Sequence, residues 1–410
     1  MRGKYRVGVA LAGMLLLAAC GGGGSNSNSG TPFNVLVVSN LSSGAGPANA
    51  AFVQGMQAAG DYLNSNGGGI LGHKITFTTR DTGGDNTQSV TLVTQMLQSK
   101  PSGGGTWNFI QSGASSDEQL AELPTVTKYK VPGIAVESNP KLATFAYHWI
   151  EGVNISTEVA TLADYLKSQN YQKVGFFYQN NAVGTASEAV IGPAFQAAGI
   201  QELKVSYPAT AVDVTPQMQQ MQALHPDAVL ATAQSGPWIG YVLKAKTALN
   251  FNVPFVGDAT FSGADAYTIA GAANVKGVKY YQWNIDLAVP AGQETPAVKA
   301  FRDALGKITT TYTQPMHQYA SGWDAIQYMK IAAEQANSLD PDKIKDALDS
   351  LKIPNPSPLV TSPQGWGWNS TPDTGHLSHP APGAFVVCDI GPLSNGQITV
   401  DLNSVFPKPS

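Results

Sequence analysis

From Gln111 to Glu118 the chain reads Gln-Ser-Gly-Ala-Ser-Ser-Asp-Glu, and these residue types at this spacing are suited to holding a small acid. Ser115 and Glu118 stand three apart, the spacing of a capping box, so a helix is predicted to start there. The apolar run Trp107–Ile110 before the loop reads as a short strand and Leu120–Tyr129 after it as helix. A strand end that opens a helix lies at the edge where open α/β sheets take their ligands. The first-turn amides and the helix dipole favour a carboxylate by ~0.3–2 kcal/mol. A hydroxyl from Ser115 or Ser116 adds a charge-assisted hydrogen bond of ~1.5–3 kcal/mol. Micromolar affinity needs about 8 kcal/mol. An apolar ligand group adds ~2 kcal/mol, so a second closing surface must supply the rest. The competing reading is that Ala114, Ser115 and Ser116 only start a helix. Asp117, Glu118 and Glu122 read as the solvated face of that helix start.

Other chemistry finds little support. There is no G-x-S-x-G, HExxH or CxxC, so neither a hydrolase elbow nor a metal motif is present. His376 and His379, with Asp373 nearby, fall in a Pro-rich stretch that makes a poor metal cage. Gly67–Gly72 spells G-x-G-x-x-G, but that pattern cradles phosphate only after a strand and before a helix. Here a helical pattern precedes it and a strand follows. It is not a P-loop either, because His73 separates Gly72 from Lys74 and no Ser or Thr comes next. No cofactor is expected, and no nucleophile, acid and base stand together as an enzyme would need.

At 410 residues the chain is too long for one small core, and two domains are expected. Charged residues are 13%, against roughly 25% in ordinary soluble proteins. The formal charge is −4, or about −7 without Arg2, Lys4 and Arg6. That balance argues against nucleic acid or anionic lipid as a partner. Arg2, Lys4 and Arg6 followed by the apolar run Val7–Leu17 read as a signal peptide, too short to span a bilayer. Gly21–Gly30 is a Gly/Ser/Asn run with no apolar residue, suited to a flexible tether.

The elements that must position the loop alternate along the chain. Phe33–Ser39 is a continuous apolar run, as in a strand buried on both faces. Phe52, Met56, Ala59 and Leu63 have helical spacing, Asn64–Gly69 ends that helix, and Ile75 and Phe77 start a strand closed at Asp81. Thr87–Gln98 reads as helix and Val131–Val136 as strand. From Thr157 the alternation restarts, with strands at Val174–Tyr178, Leu203–Tyr207, Ala228–Thr232 and Pro254–Val256. Helices are expected at Ala297–Thr309, Tyr319–Ala336 and Pro341–Leu351, and Ala384–Asp389 with Ile398–Leu402 as a closing strand pair. Such βα alternation argues for parallel sheets covered by helices.

Asn64, Gly67, Gly68, Gly72, Lys74 and Asp81 resemble the "N-x-x-GG-x-x-G-[KR]" signature of type I periplasmic binding proteins. These form the leucine/isoleucine/valine-binding, or extracellular ligand-binding receptor, family of ABC importers. The resemblance covers nearly the whole chain after the leader. Leu17-Ala18-Ala19-Cys20 similarly resembles a bacterial lipobox, which implies that Cys20 is acylated and that Cys388 has no disulfide partner. The resemblance places Ser43 in a loop at the mouth of the ligand cleft. It makes Glu137 and Ser138 a second contact beside Ser115 and Ser116, where Glu137 departs from the small residues and Thr of amino-acid-binding relatives and either pairs with a ligand amine or faces solvent. In the second lobe the family's D-D-x-x-Y-G loop falls on Gln179–Gly184, where the acids are amides and the aromatic is Val183; Asn181 can still bond a ligand. Trp238 can supply the missing ring, and Asp258 lies near the acid that receives an ammonium group.

What the resemblance implies is an α/β fold of two doubly wound parallel-sheet lobes joined by three crossings, near 153, 283 and 373. Residues 1–19 would be the leader and 20–32 the lipidated tether. Residues 33–152 with 283–372 would form lobe 1, and 153–282 with 373–410 lobe 2. The implied function is extracytoplasmic delivery of a small carboxylate-bearing ligand, such as an apolar amino acid, to ABC permease subunits. The protein would be a monomer at the periplasm or the outer face of the cell membrane, held by its lipid alone. A receptor for a sensory system shares every one of these features, and an α/β enzyme is the alternative of another class.

Overall fold

A computed structural model describes residues 30–44, 46–113, 115–136, 139–151, 155–233, 236–258, 261, 264–275, 277–288, 294–362, 367–368, 376, 378–379, 385–390, 393–398 and 405–406. The leader, Cys20, Ala114, Glu137, Ser138, Asp373 and the expected crossings at 153 and 373 lie outside them.

The first sheet runs β2 (Ile75–Asp81), β1 (Phe33–Ser39), β3 (Trp107–Ser112), all parallel. β4 (Gly133–Ala135) and β5 (His148–Ile150), also parallel, continue past it, with Ile110 N–H donating to Pro132 O at 2.9 Å. The second sheet has the order β13 (Phe385–Asp389), β10 (Lys279–Trp283), β9 (Phe255–Gly257), β8 (Ala228–Thr232), β6 (Lys173–Asn180), β7 (Gln201–Pro208). Only β13 is antiparallel in it. Two-stranded pieces β11 (Gly367–Trp368) with β12 (Ser378–His379), and β14 (Leu393–Ser394) with β15 (Gln397–Ile398), lie apart.

The inner strands β1 and β8 are covered on two faces, which is why they read as unbroken apolar runs, while the edge strands β2 and β7 carry polar, partly exposed residues. Along β1, Val35 and Val37 join one core while Leu36 and Val38 join another. Along β8, Ala228 and Leu230 split from Val229 and Ala231 in the same way. The covering helices of the first sheet are α1 (Gly46–Gly67), α2 (Asn86–Gln98), α3 (Ser116–Tyr129), and, from later in the chain, α9 (Pro296–Ile308), α10 (Met316–Ala336) and α11 (Pro341–Asp349). Those of the second are α4 (Ile155–Ser168), α5 (Ala182–Ala198), α6 (Thr215–Ala223), α7 (Gly236–Ala248) and α8 (Ala264–Ala270). No helix among the described residues is long and apolar enough to cross a membrane.

The glycine-rich turn after α1 is a structural device. Asn64 Nδ2 donates to Ile75 O (3.0 Å) and Ile75 N–H to Asn64 Oδ1 (2.8 Å), clamping the helix end to the start of β2. Gly69 sits at φ +90°, where a Cβ would lie 2.0 Å from His73 O. Helix before and strand after, this turn has the reverse of the phosphate-binding order.

Of the expected closing strand pair, residues 399–402 lie outside the described residues. β13 pairs with β10, Lys279 opposite Asp389, while Gln397–Ile398 pairs back on Leu393–Ser394. Phe406 instead bridges to Val387.

Near two of the expected passages between the lobes, at 153 and 283, the chain is pinned by buried polar contacts. Ile150 N–H donates to His376 O (3.1 Å) and His376 N–H to Ala143 O (3.0 Å). His376 stacks on Trp149, its Nε2 is 3.1 Å from Asp349 Oδ1, and its Nδ1 is 2.8 Å from His148 O. Both ring nitrogens are thus used in holding the chain, which removes His376 as a metal ligand. At the second passage, the buried Asp286 carboxylate pairs with His317, whose ring stacks on Trp283.

Candidate ligand-binding site

The loops singled out in the sequence follow the C-terminal ends of parallel strands in both sheets, the edge at which open α/β folds take ligands. After β1, the loop Asn40–Gly46 is braced from below. Asp81 Oδ1 accepts from Leu41 N–H (3.0 Å) and Gly83 N–H (2.9 Å), and these bonds hold its carboxyl below the usual carboxylate range. Ser43 is exposed; its hydroxyl lies 2.6 Å from Gly83 O and 3.2 Å from Asn40 Oδ1, and its N–H donates to Asn40 Oδ1. Ser43 is thus held in a loop fixed by its own hydrogen bonds.

After β3, Ser115 is the N-cap of α3, with its Oγ accepting from Glu118 N–H at 3.3 Å. In that bond the Ser115 hydroxyl is the acceptor and keeps its own proton as a donor. Ser116 is 1% exposed. The solvated reading of the acids holds for Asp117 alone. Glu118 and Glu122 are buried, because they share the inward face of α3 with Gln119, Leu123 and Val126. Glu118 accepts from the Thr82 hydroxyl (3.1 Å), and Glu122 is hydrogen-bonded by Ser89. Burial pushes the Glu122 carboxyl up to about 8, with the neighbouring Glu118 adding to the effect. A protonated Glu122 puts no second negative charge behind the helix start at neutral pH.

In the second lobe, Asn181 caps α5: its Oδ1 accepts from Gly184 N–H (2.9 Å) and its Nδ2 donates to Gln179 Oε1 (3.1 Å). Asp258, 8% exposed, follows β9 beside Tyr207, whose phenol is pushed up by burial and by that carboxylate. Trp238, in the first turn of α7, crosses to the other lobe. Its Cη2 stands 3.8 Å from the Cβ position of Gly44, next to Ser43. α3 and α5 also approach one another from opposite lobes. The structure thus brings Ser43 and Trp238 to one place.

Sequence reasoning missed a buried cluster at the first passage. Glu151 and Asp324, both 0% exposed, flank the Thr361 hydroxyl at 3.1 and 2.5 Å. Asp324 also accepts the N–H groups of Val360 and Thr361. The helical spacing of α10 put Asp324 on its inward face and was the available signal. Among the described residues no group of His, Cys, Asp and Glu is placed to hold a metal ion.

Two α/β lobes meeting at their strand ends define a bilobal solute-binding protein. A family model described as periplasmic binding protein matches residues 32–387, and the chain belongs to that extracytoplasmic family, whose members carry out no chemical step. A search of curated protein sequences finds no match. Among solved structures, the chain is similar to a leucine-binding protein from Thermotoga maritima MSB8, at 18% identity and TM-score 0.73, covering 91% of this chain and 98% of that one. A periplasmic binding protein type 1 from Bordetella pertussis Tohama I gives 17% identity and TM-score 0.76, covering 90% and 99%. A solute-binding protein of an ABC transporter from R. palustris, in complex with 4-hydroxybenzoate, gives 18% identity and TM-score 0.74, covering 92% and 98%.

Proposed function

We propose that the protein binds a small carboxylate-bearing molecule between its lobes and hands it to an ABC permease as the lobes open. The observation that carries this reading is the meeting of Trp238 with the Ser43–Gly44 loop across the two lobes. A ligand touching both sides favours the closed arrangement by its differential contacts. The Ser115 hydroxyl and the start of α3 supply the carboxylate anchor, with Glu137, Ser138, Asn181 and Asp258 around the remainder. The isoleucine and 4-hydroxybenzoate in similar structures are both carboxylates. In this reading residues 33–152 with 283–372 move as one lobe and 153–282 with 373–410 as the other.

The test is a thermal-shift panel of small amino, aliphatic and aromatic acids on the protein lacking residues 1–20. A ligand at a hundredfold excess over its Kd adds about 2.7 kcal/mol. Ser115→Ala with Ser116→Ala is expected to weaken the best acid at least tenfold by calorimetry; unchanged affinity would remove this anchor.

The same reading has Cys20 acylated, with residues 21–32 as tether. Cys20→Ser is expected to move the protein from the membrane fraction to the soluble fraction of cells. Retention in the membrane after that change would exclude the lipid anchor.

A further inference from the structure

Trp238 carries one feature that the carboxylate reading leaves unused. Its ring packs on the second lobe's core and reaches Gly44, yet its Nε1 is buried with no hydrogen-bond partner among the described residues. A buried donor left unpaired is costly, and buried indole N–H groups ordinarily find a partner. Phenylalanine or leucine would fill the same space at no such cost. Gly44, the residue its ring meets, has no side chain that could accept from it.

We infer that Trp238 selects among acids: its indole N–H donates to an acceptor oxygen that the ligand carries away from its carboxylate. The inference rests on the proposed carboxylate anchor at α3 in the first lobe, because Trp238 enters from the second. An indole donates and never accepts. It therefore suits a keto, hydroxyl, amide or second carboxylate oxygen at that end, and leaves an ammonium group unpaired. A plain alkyl or phenyl end would leave the donor buried and unpaired, which is how a site built for an oxygen rejects analogues lacking one.

The experiment is calorimetry on the protein lacking residues 1–20, using two pairs of probes: pentanoate with 4-oxopentanoate, and benzoate with 4-hydroxybenzoate. In at least one pair the oxygen-bearing acid is expected to bind at least tenfold more tightly. Trp238→Phe should cut that preference to under threefold. In the unsubstituted protein, the nitrogen-15 indole resonance of Trp238 should shift downfield with the oxygen-bearing acid only. That spectrum decides the matter if the phenylalanine variant fails to fold. Equal binding within both pairs, or a preference that survives in Trp238→Phe, overturns the inference and leaves the anchor standing. Binding of no acid at all overturns the anchor and the inference together.

Discussion

Replacing Gly55 with alanine is expected to cost about 3 kcal/mol or more of stability, at the upper end of overpacking changes. α1 and α10 cross with their backbones in contact. A Cβ on Gly55 would stand 1.8 Å from Tyr319 O, and one on Gly322 would stand 1.9 Å from Phe52 O. Neither obstacle is a side chain that can turn away; each is a main-chain carbonyl inside a helix. The helices must separate, and Phe52, Met56, Tyr319 and Trp323 lose packing together. Melting should fall by roughly 6–12 °C, at about 2–4 °C per kcal/mol. Gly67→Ala is the control, since nothing lies within 4 Å of its Cβ position. It should be neutral or slightly stabilising, as alanine is the better helix former by ~1 kcal/mol. If both variants melted alike, the helix crossing would not be set by the glycine pair.

Melting temperature is expected to be higher near pH 5 than near pH 9, by roughly 5–10 °C. Three buried acids drive this. Burial pushes Glu122 up to about 8 and Asp324 up to about 7, and raises Glu151 well above the usual range with Asp324 beside it. The geometry at Thr361 agrees, because one hydroxyl proton cannot serve two carboxylates. With Asp324 accepting three donors, Glu151 must keep its proton and give it to Thr361 Oγ1. Groups with raised folded values bind more protons folded than unfolded. Their stabilisation is therefore complete below about pH 4, the unfolded range, and is lost as pH rises through 7 and 8. Asp349 has the opposite sign: its bonds to His376 and Lys345 outweigh its burial and take it down to about 2. Its contribution is present above the unfolded value and is lost as pH falls toward 2. The optimum falls between these windows. Glu122→Gln should flatten the alkaline slope; an unaltered slope in that variant would mean Glu122 ionises freely in the folded state.

Burial on both faces was readable in Phe33–Ser39, since a run without polar alternation can sit only in the middle of a covered parallel sheet. The cap at Ser115 was readable too, being a local contact between residues three apart. Glu118 and Glu122 were misread, because a charged residue near a helix start is usually solvated. Only the packing of α2 and of Thr82 on α3 takes them out of water. Cys388 shows the same limit: its place in β13 opposite Tyr280 and the burial that pushes its thiol up to about 12 depend on a strand more than a hundred residues away.

Alternating βα order, a leader-like start and the Asn64–Asp81 turn are properties of neighbouring residues, so the chain alone determined the family and the layered architecture. Where Trp238 meets Gly44, which acids share a proton, and which glycines let two helices touch are decided by contacts between distant segments. Such contacts exist only once loop-closure entropy has been overcome and the lobes have formed, and no local pattern records them.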